Sequence, residues 1–168
     1  FNKPRGILTH QSNVEGKTIN HFLPKNLKHL VPIGRLDKES EGLILLSNDR
    51  VFCKQCLSPK KPFKKVYDVG LSRPLSSKHI VQLEKGVTLF GKRLEPVFVK
   101  KNTGNNSYLF KLTQGKNRQI RRVMSKFRRD ILWLKRLSYG SINLEGIPES
   151  SFIELSQKQL NEFQFLYF

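Results

Sequence analysis

The sequence predicts an α+β fold. Short apolar runs of strand length recur along the whole chain, whereas only a few segments space their apolar residues as a helix does. Strands and helices do not alternate regularly, so a parallel sheet built from βαβ units is not expected. With 168 residues, of which 38% are hydrophobic, the chain can bury one sizeable core. We therefore expect one domain over residues 1–168, or one large domain with a small N-terminal lobe at about residues 1–30.

The first third of the chain is predicted to lead into two strands with an acidic residue between them. Residues 1–8 begin as a strand that a proline and a glycine bend, and residues 18–23 have helical spacing. Residues 31–36 and 43–46 are short apolar runs, which we predict to be buried strands. Asp37 opens the charged loop between them, at a strand end, where catalytic groups are common. On this stretch alone, a simple ion pair with a neighbouring cation is the more common outcome.

The next segments are predicted to be a helix and a strand that both face the core. Residues 50–57 have the apolar spacing of a helix whose inward face consists of Val51, Phe52, Cys56 and Leu57. Residues 66–71 alternate as a strand, which puts Tyr67 on the same face as two apolar residues. A tyrosine in such a position is most often a core residue, so its position alone does not make it functional.

Scaffold elements are predicted after this strand. Ser76 or Ser77 caps a helix that ends at Gly86. Residues 94–100 and 107–113 are predicted to form a hairpin, because the segment between them is rich in turn-forming residues.

A helix with two distinct faces is predicted at residues 118–127. Its apolar stripe consists of Ile120, Val123, Met124 and Phe127. The opposite face carries Arg118, Arg121, Arg122 and Ser125. Three arginines at the first turns oppose the helix dipole, which favours anions at that end. The pattern therefore predicts a phosphate or carboxylate partner, and a basic face that is merely solvated is the alternative.

The C-terminal part is predicted to return to strands and to end in a helix. Residues 131–137 and 141–144 are strand-like, and residues 152–155 are predicted to be a last short strand. Ser156 and Gln159 form the capping box of the terminal helix. Its apolar residues are Leu160, Phe163 and Tyr167.

The charge of the chain indicates a polyanionic partner. Lys and Arg number 31 against 13 Asp and Glu, which gives a formal net charge of +18. Nucleic acid is the partner that such an excess predicts first. No apolar run reaches the roughly 20 residues that a membrane helix requires. We therefore expect a cytoplasmic protein that does not bind membranes.

The cysteines and histidines predict neither a metal site nor redox chemistry. Cys53 and Cys56 form a Cys-x-x-Cys pair, but no second pair or nearby histidine completes a zinc site. The sequence around the pair does not resemble a thioredoxin turn, and the histidines lack the spacing of ligands. We expect two buried thiols in a reducing compartment.

Four segments, in this order along the chain, resemble the motifs of ribosomal RNA pseudouridine synthases of the RsuA/RluB/RluE/RluF type. They are Asn-Lys-Pro-Arg-Gly at 2–6, Gly-Arg-Leu-Asp-Lys-Glu-Ser-Glu-Gly-Leu at 34–43, Lys-Val-Tyr-Asp-Val at 65–69 and Gly-Lys-Asn-Arg-Gln-Ile-Arg-Arg at 115–122. The resemblance runs from residue 1 to about residue 155. It implies the pseudouridine synthase fold, in which helices flank a mixed, mostly antiparallel central sheet with an RNA-binding cleft. Most members of the family also carry an N-terminal S4-type domain, which residues 1–168 do not contain, either because it was trimmed or because it was never present.

The resemblance also implies roles for individual residues. Asp37 matches the catalytic aspartate, Tyr67 the tyrosine that stacks on the target base, and Arg121 the arginine that pairs with the aspartate. Arg35 matches the arginine that fills the space left by a flipped nucleotide. Further RNA contacts are expected from Lys3, Arg5, Lys64, Lys65, Asn117, Arg118 and Arg122. The rearrangement of uridine to pseudouridine needs a carboxylate near the ribose and no metal or cofactor.

The expected activity is the isomerisation of a specific uridine in ribosomal RNA, with 23S RNA favoured and 16S RNA as an alternative. The partner would be ribosomal RNA or a ribosomal subunit precursor, and the enzyme would act as a monomer. A non-catalytic RNA-binding or ribosome-assembly protein is the competing hypothesis. Ser40, Arg50 and Val123 stand where the family often has Thr, Gly and Met, which leaves the substrate subgroup open.

Overall fold

A mixed central sheet organises the structure, a computed structural model that describes residues 1–10, 15–60, 62–104 and 106–167. The strands are β1 (Asn2–Lys3), β2 (Val31–Pro32), β3 (Glu41–Leu43), β4 (Leu46–Ser47), β5 (Lys65–Leu71), β6 (Thr88–Leu89), β7 (Lys92–Arg93), β8 (Phe98–Lys101), β9 (Ser107–Leu112), β10 (Ile131–Tyr139) and β11 (Ile142–Asn143). The helices are α1 (Arg50–Cys56), α2 (Ser77–Lys85), α3 (Gln119–Lys126) and α4 (Gln157–Tyr167). Two 3-10 turns lie at Ile19–His21 and Lys25–Leu27.

The long strand β10 lies in the middle of the sheet. Seven strands run in the order β1-β3-β10-β5-β9-β8, with β11 paired to β10. Strand β10 is parallel to β3 and antiparallel to β5, and the remaining pairings in this sheet are antiparallel. Two small two-stranded sheets, β2-β4 and β6-β7, lie outside it. The predicted α+β architecture with a mixed, mostly antiparallel sheet is confirmed.

The main core lies between one face of the sheet and the helices α2 and α3. The predicted stripe of α3 is buried, and Tyr67, Val69 and Leu71 of β5 point into the same cluster, as their alternation predicted. Helix α2 is capped by Ser76, whose hydroxyl accepts the His79 amide, as the sequence predicted. Burial of this apolar face is the main source of stability, since each fully buried large side chain contributes about 1.5–3 kcal/mol.

A second core cluster holds α1 and α4 against the end of β10. The rings of Phe63 and Phe163 stack with centroids 4.9 Å apart, and those of Phe63 and Tyr139 with centroids 5.2 Å apart. Cys56 packs in the same cluster as a free, buried thiol, and burial raises its pKa to about 12. The terminal helix begins with the predicted capping box, in which Ser156 and Gln159 bond reciprocally.

Several predicted elements differ from the observed ones. Residues 31–36 form a strand only at β2, because the backbone amide of Leu36 bonds to the Thr9 hydroxyl instead of a neighbouring strand. Residues 43–46 are divided between β3 and β4, and residues 18–23 form only a 3-10 turn. Val51 and Leu57 are 68% and 54% exposed, so the predicted inward face of α1 is wrong at both positions.

The predicted strand at residues 152–155 is also wrong. Only the two residues before it reach a strand edge: the Ser150 amide donates to the Asn2 carbonyl, and the Asn2 amide donates to the Ser151 carbonyl. The chain then runs on to α4 without a ladder, and Ile153 is 48% exposed. Asn105 of the predicted hairpin turn and the side chain of Tyr167 lie outside the described residues. Within the described ranges, no helix has the length and apolarity of a membrane span.

Candidate active site

A cleft of about 810 Å³ opens beside the central sheet. Its walls come from the loop between β2 and β3, from β5, from the turn before α3 together with α3 itself, and from β10. The volume is that of a typical small-molecule pocket, about 300–1,000 Å³. Asp37, Tyr67 and Arg121, which lie far apart in the sequence, all line it. The cleft can therefore hold a single nucleotide against all of them.

The loop that carries Asp37 is fixed on both sides of the carboxylate. On one side, the Thr9 hydroxyl donates to the Leu36 carbonyl at 2.7 Å and accepts the Leu36 amide at 3.0 Å. On the other side, the Ser40 amide donates to the Asp37 carbonyl at 2.9 Å. Asp37 is thus five residues beyond the end of β2 and not at a strand end as predicted. Hydrogen bonds from Thr9 and from within the loop, rather than a sheet, hold it in position.

Two arginines approach the Asp37 carboxylate. Its Oδ2 atom is 3.5 Å from Nη1 of Arg118 and 3.5 Å from Nε of Arg121. A charge-assisted hydrogen bond has a donor–acceptor distance of about 2.8 Å. Both contacts are longer, so they are ion pairs without a hydrogen bond. The Asp37 side chain is 28% exposed. A substrate can therefore reach the carboxylate while the arginines stay beside it.

Arg121 is held more firmly than Arg118. Its Nη2 donates to the Glu39 carbonyl at 2.8 Å and to the Ser40 hydroxyl at 2.9 Å. Burial lowers the pKa of Arg121, and the charge of Asp37 opposes that shift. Arg118 is instead the N-cap residue of α3 and has a φ of 52°, a left-handed conformation that costs a non-glycine residue about 1–2 kcal/mol. Its side chain is 49% exposed.

The inner wall of the cleft is formed by aromatic and basic side chains. Tyr67 faces Arg136 across β5 and β10, and the guanidinium of Arg136 lies 5.5 Å from the centroid of the Tyr139 ring. The Lys65 ammonium donates to the carbonyls of Phe63 and Thr113 at 2.9 and 3.1 Å. Burial, with a smaller contribution from the charge of Arg136, lowers the pKa of Lys65 to about 8. Burial also raises the pKa of Tyr139, whose hydroxyl donates to the Cys56 carbonyl.

The other predicted RNA contacts are divided between the cleft and its surroundings. Arg35 and Asn117 line the cleft and are exposed enough to meet RNA. Arg5 bonds to Glu39 at 3.1 Å and lies outside the cleft lining, as does the exposed Lys64. The Arg122 guanidinium donates to Asn117 at 3.0 Å.

The prediction that Lys3 contacts RNA is wrong. The residue is 0% exposed, and its ammonium donates to the carbonyls of Pro4 and Ile7 at 2.8 and 2.6 Å. Burial lowers its pKa to about 8. A buried cation that backbone carbonyls already solvate cannot reach a phosphate. Lys3 instead holds the bend that packs against the Asp37 loop.

Arg136 and Tyr139 are cleft residues that were not predicted from the sequence. Arg136 lies in a segment predicted only as a strand, and Tyr139, which the structure places at the end of β10, was predicted to lie in the turn after it. The available signal was the pair Lys135-Arg136 inside an otherwise apolar strand, because a charge on the buried face of a strand needs a reason. Within the described residues, no cluster of three His, Cys, Asp or Glu side chains could hold a metal.

The similarity of this fold to known proteins identifies a class of enzymes that modify RNA. Residues 1–126 match the family model described as RNA pseudouridylate synthase, and the chain belongs to that family. It is also similar in structure to a protein titled "Crystal structure of pseudouridylate synthase", with a TM-score of 0.88, 26% identity and coverage of 96% of this chain and 71% of that one. The predictions of a pseudouridine synthase fold and of an RNA pseudouridine synthase are thereby confirmed.

The similarity to individual relatives extends along nearly the whole chain. The uncharacterized RNA pseudouridine synthase YtzG of Bacillus subtilis (strain 168) is 32% identical over 168 residues, which is 96% of this chain and 70% of YtzG. The dual-specificity RNA pseudouridine synthase RluF of Escherichia coli (strain K12) is 33% identical over 162 residues, 95% of this chain and 54% of RluF. Ribosomal large subunit pseudouridine synthase B of B. subtilis (strain 168) is 29% identical over 171 residues, 98% of this chain and 70% of that protein. The chain thus spans about half the length of RluF.

Proposed function

We propose that the chain isomerises a uridine of ribosomal RNA to pseudouridine, with Asp37 as the catalytic carboxylate. The observation that carries the proposal is the placement of Asp37 in an open cleft, 3.5 Å from two arginines and with Tyr67 in the same lining. Membership of the RNA pseudouridylate synthase family supports the reaction type. A uridine inside a helix cannot reach such a cleft, so the target nucleotide is flipped out of its stack.

The chemistry is a rearrangement without net gain or loss of atoms. The bond between C1′ of the ribose and N1 of uracil breaks, and its electron pair stays on the uracil ring. The ring turns, C5 forms the new bond to C1′, the hydrogen of C5 leaves as a proton and N1 takes one up. A carboxylate beside C1′ can add to the sugar or to C6 of the base, or can remove a ribose proton.

The proposed roles of the other residues follow from their contacts. Arg121, which two hydrogen bonds fix to the backbone of Glu39 and the hydroxyl of Ser40, keeps the Asp37 carboxylate aimed into the cleft. Tyr67 offers its ring to the flipped base, since base-aromatic stacking contributes about 1–3 kcal/mol per base. Arg35, exposed in the cleft lining, occupies the gap that the flipped uridine leaves in the RNA.

Large-subunit RNA is the proposed substrate. One relative is named a ribosomal large subunit pseudouridine synthase, and the motifs at residues 2–6 and 34–43 resemble ribosomal RNA enzymes. The net charge of +18 suits a structured RNA or a ribosomal subunit precursor. We propose that the protein acts on it as a monomer. With this substrate, the proposed working compartment is the cytoplasm.

The substitution Asp37→Asn tests the proposal, because it removes the charge and keeps the shape. In cells that lack the gene, the wild-type gene should restore a pseudouridine in 23S RNA and the variant should not. The affinity of the purified variant for the RNA should stay within about threefold, because phosphate contacts dominate binding. Full activity of Asp37→Asn would overturn the catalytic role. Restoration of a site in 16S RNA would move the substrate to the small subunit, and no restored site in either RNA would refute the ribosomal assignment.

A further inference from the structure

Two cations lie in the inner wall of the cleft without acidic partners. Arg136 is only 3% exposed, and its Nε donates to the Leu43 carbonyl at 2.6 Å. Lys65 is partly buried and donates to two backbone carbonyls. Neither forms an ion pair within the part of the chain that the structure describes. Buried charges are normally paired, so an unpaired couple in a cleft calls for a ligand that supplies negative charge.

Unused hydrogen-bond donors concentrate around the same cleft. In the described residues, four buried side-chain polar atoms lack a hydrogen-bond partner, and three of them are N–H donors on residues that line the cleft. These three atoms are Nε2 of Gln119, Nε of Arg121 and Nη2 of Arg136. A buried donor left without an acceptor costs about 1–3 kcal/mol. Nε of Arg121 already faces the Asp37 carboxylate in an ion pair at 3.5 Å, but Nε2 of Gln119 and Nη2 of Arg136 have no acceptor within the described residues. The location of these two donors indicates that acceptors or negative charge arrive with the substrate.

Arg136 is adjacent to the proposed stacking residue. It is the direct partner of Tyr67 across β5 and β10, and side chains at paired positions point to the same face of a sheet. Its guanidinium also lies against the ring of Tyr139. A base stacked on Tyr67 therefore comes close to the Arg136 charge. A cation in a low-dielectric wall acts electrostatically on a nearby base even without a direct hydrogen bond.

We propose that Arg136, assisted by Lys65, stabilises the negative charge of the uracil ring after the ring has left the ribose. This role rests on the proposed function. When the C1′–N1 bond breaks, both of its electrons move to uracil and spread over N1, O2 and O4. Asp37 compensates the positive charge that develops at C1′. The charge on the ring is neutralised when C5 bonds to C1′, and the proton that C5 then releases is balanced by the proton that N1 takes up. The two cations thus act on a charge that exists only during the reaction, which is the condition for lowering the barrier.

The position of Arg136 favours uracil over a phosphate as the group that it acts on. A phosphate is bulky and strongly hydrated, and the exposed arginines of the cleft, Arg35 and Arg118, can meet it without losing water. A planar, neutral base can pack against the buried wall of the cleft at a lower desolvation cost than a phosphate, and it becomes charged there during the reaction. Lys65, whose pKa of about 8 leaves it protonated at neutral pH, adds positive potential at the same wall.

The experiment compares Arg136→Met and Arg136→Lys with the wild type and with Lys111→Met. Lys111 is exposed and its side chain lies on the opposite face of the sheet from Tyr67, which makes it a matched control for a lost positive charge. The substrates are 23S and 16S RNA transcripts with tritium at C5 of uridine, and tritium release follows the reaction under single-turnover conditions. Arg136→Met should lower the rate about 100-fold, as removal of one stabilising donor does elsewhere, while RNA affinity changes less than about threefold. Arg136→Lys, which keeps the charge, should recover part of the rate, and Lys111→Met should react like the wild type.

Two results would overturn the role of Arg136. An unchanged rate in a folded Arg136→Met protein would show that the charge is not used. A fall in rate matched by an equal fall in RNA affinity would identify a phosphate anchor instead. Thermal melting monitors folding. If Arg136→Met does not fold, the single-turnover rate and the RNA affinity are compared for Arg136→Lys and Lys65→Met, and the same two results would overturn the proposal.

A second measurement separates this role from the proposed function. The probe is 6-azauracil, a uracil analogue that ionises more readily than uracil. It is titrated into the protein and followed by NMR well below pH 8, where Lys65 keeps its proton. The wild type should bind the anion more tightly than the neutral ring, and Arg136→Met should lose at least about tenfold of that preference, which corresponds to about 1.4 kcal/mol. Equal binding of both forms by the wild type would refute the anion site. Tritium release absent from both RNAs would refute the ribosomal substrate alone.

Discussion

The side chains around Asp37 hold one another in position through successive contacts. The Ser40 hydroxyl and the Glu39 carbonyl hold the Arg121 guanidinium, and Arg121 in turn lies beside the carboxylate. Ser40 is buried, although it stands where the family often has a threonine. Its hydroxyl still accepts a hydrogen bond, so the departure keeps the contact that orients the arginine. The direction of the carboxylate is therefore set by the protein before any RNA binds.

Replacement of Arg121 by lysine tests this orientation. Arg121 uses two nitrogens, Nη2 for Ser40 and Glu39 and Nε for Asp37. A lysine has one nitrogen and cannot occupy both positions. We expect the single-turnover rate to fall about 100-fold, with a smaller change in RNA affinity. Lys64→Ala, at an exposed site outside the cleft, should instead weaken binding and leave the rate at saturating RNA unchanged. Equal behaviour of the two variants would mean that the helix serves only to attract RNA.

The ammonium of Lys65 links stability to pH. Its pKa is lowered from 10.5 to about 8, first by burial and then by the charge of Arg136. Between about pH 8 and 10.5, the unfolded chain binds a proton that the folded chain does not, so this residue makes the free energy of unfolding rise with pH in that window. Below pH 8, the cost of burying the charge is present in full.

The variant Lys65→Met should lose this pH dependence. Urea denaturation at several pH values should show the wild type gaining stability relative to Lys65→Met as the pH rises through 8. Lys3 titrates in both proteins and cancels in the comparison. A difference that stays constant across the window would mean that Lys65 is not shifted in the folded protein.

At the scale of elements, the sheet depends on a close approach between β5 and β10. The Trp133 ring lies directly over Gly70, where a Cβ atom would be 2.3 Å from ring carbons. The indole N–H donates to Asp68 at 2.9 Å, and Asp68 also accepts the Ser107 hydroxyl at 2.6 Å. Three strands, β5, β9 and β10, are thus tied together on the face opposite Tyr67. This bracing holds the wall from which Tyr67 and Arg136 face the cleft.

Gly70→Ala should strain this junction. The added methyl group must displace the indole, which breaks the bond to Asp68, and overpacking of this kind costs about 1–3 kcal/mol. We expect a loss of about 3 kcal/mol in the free energy of unfolding, measured by urea denaturation. Gly115→Ala is the matched control, because a Cβ there meets nothing within 4 Å. Similar losses in both variants would show that the contact with Trp133 is not the cause.

At the scale of the whole molecule, we expect the charge of +18 to govern association with RNA. Contacts with phosphates release counterions, so affinity falls steeply as the salt concentration rises. The proposed catalytic step uses charges inside the cleft, where salt screens less. Binding and chemistry should therefore respond differently to ionic strength.

This difference is measurable with one RNA and one protein. The logarithm of the association constant should fall linearly with the logarithm of the salt concentration, and Lys64→Ala should reduce the slope by about 0.7–0.9 if it removes one phosphate contact. The single-turnover rate at saturating RNA should change little over the same range. A rate that falls as steeply as the affinity would place the salt-sensitive contacts in the reaction itself.

The sequence alone determined the elements whose pattern repeats along the chain. The buried stripe of α3 and the alternation of β5 follow from periodicity, because each side chain's direction is set by the local backbone. The caps of α2 and α4 follow from Ser76 and Ser156, since a capping bond spans only a few residues. The motifs at residues 34–43, 65–69 and 115–122 led to three side chains that line the same cleft.

Tertiary structure decided what depends on distant partners. Lys3 reads as a surface cation, yet the carbonyls of a bend solvate it inside the protein. Val51 and Leu57 have the pattern of a core face, but α1 turns them to solvent because the second core cluster meets the helix at Cys56. Arg136 reads as an ordinary strand residue until the pairing of β5 with β10 sets it beside Tyr67. Local patterns specify a side chain's direction, whereas only the packed chain specifies what it meets there.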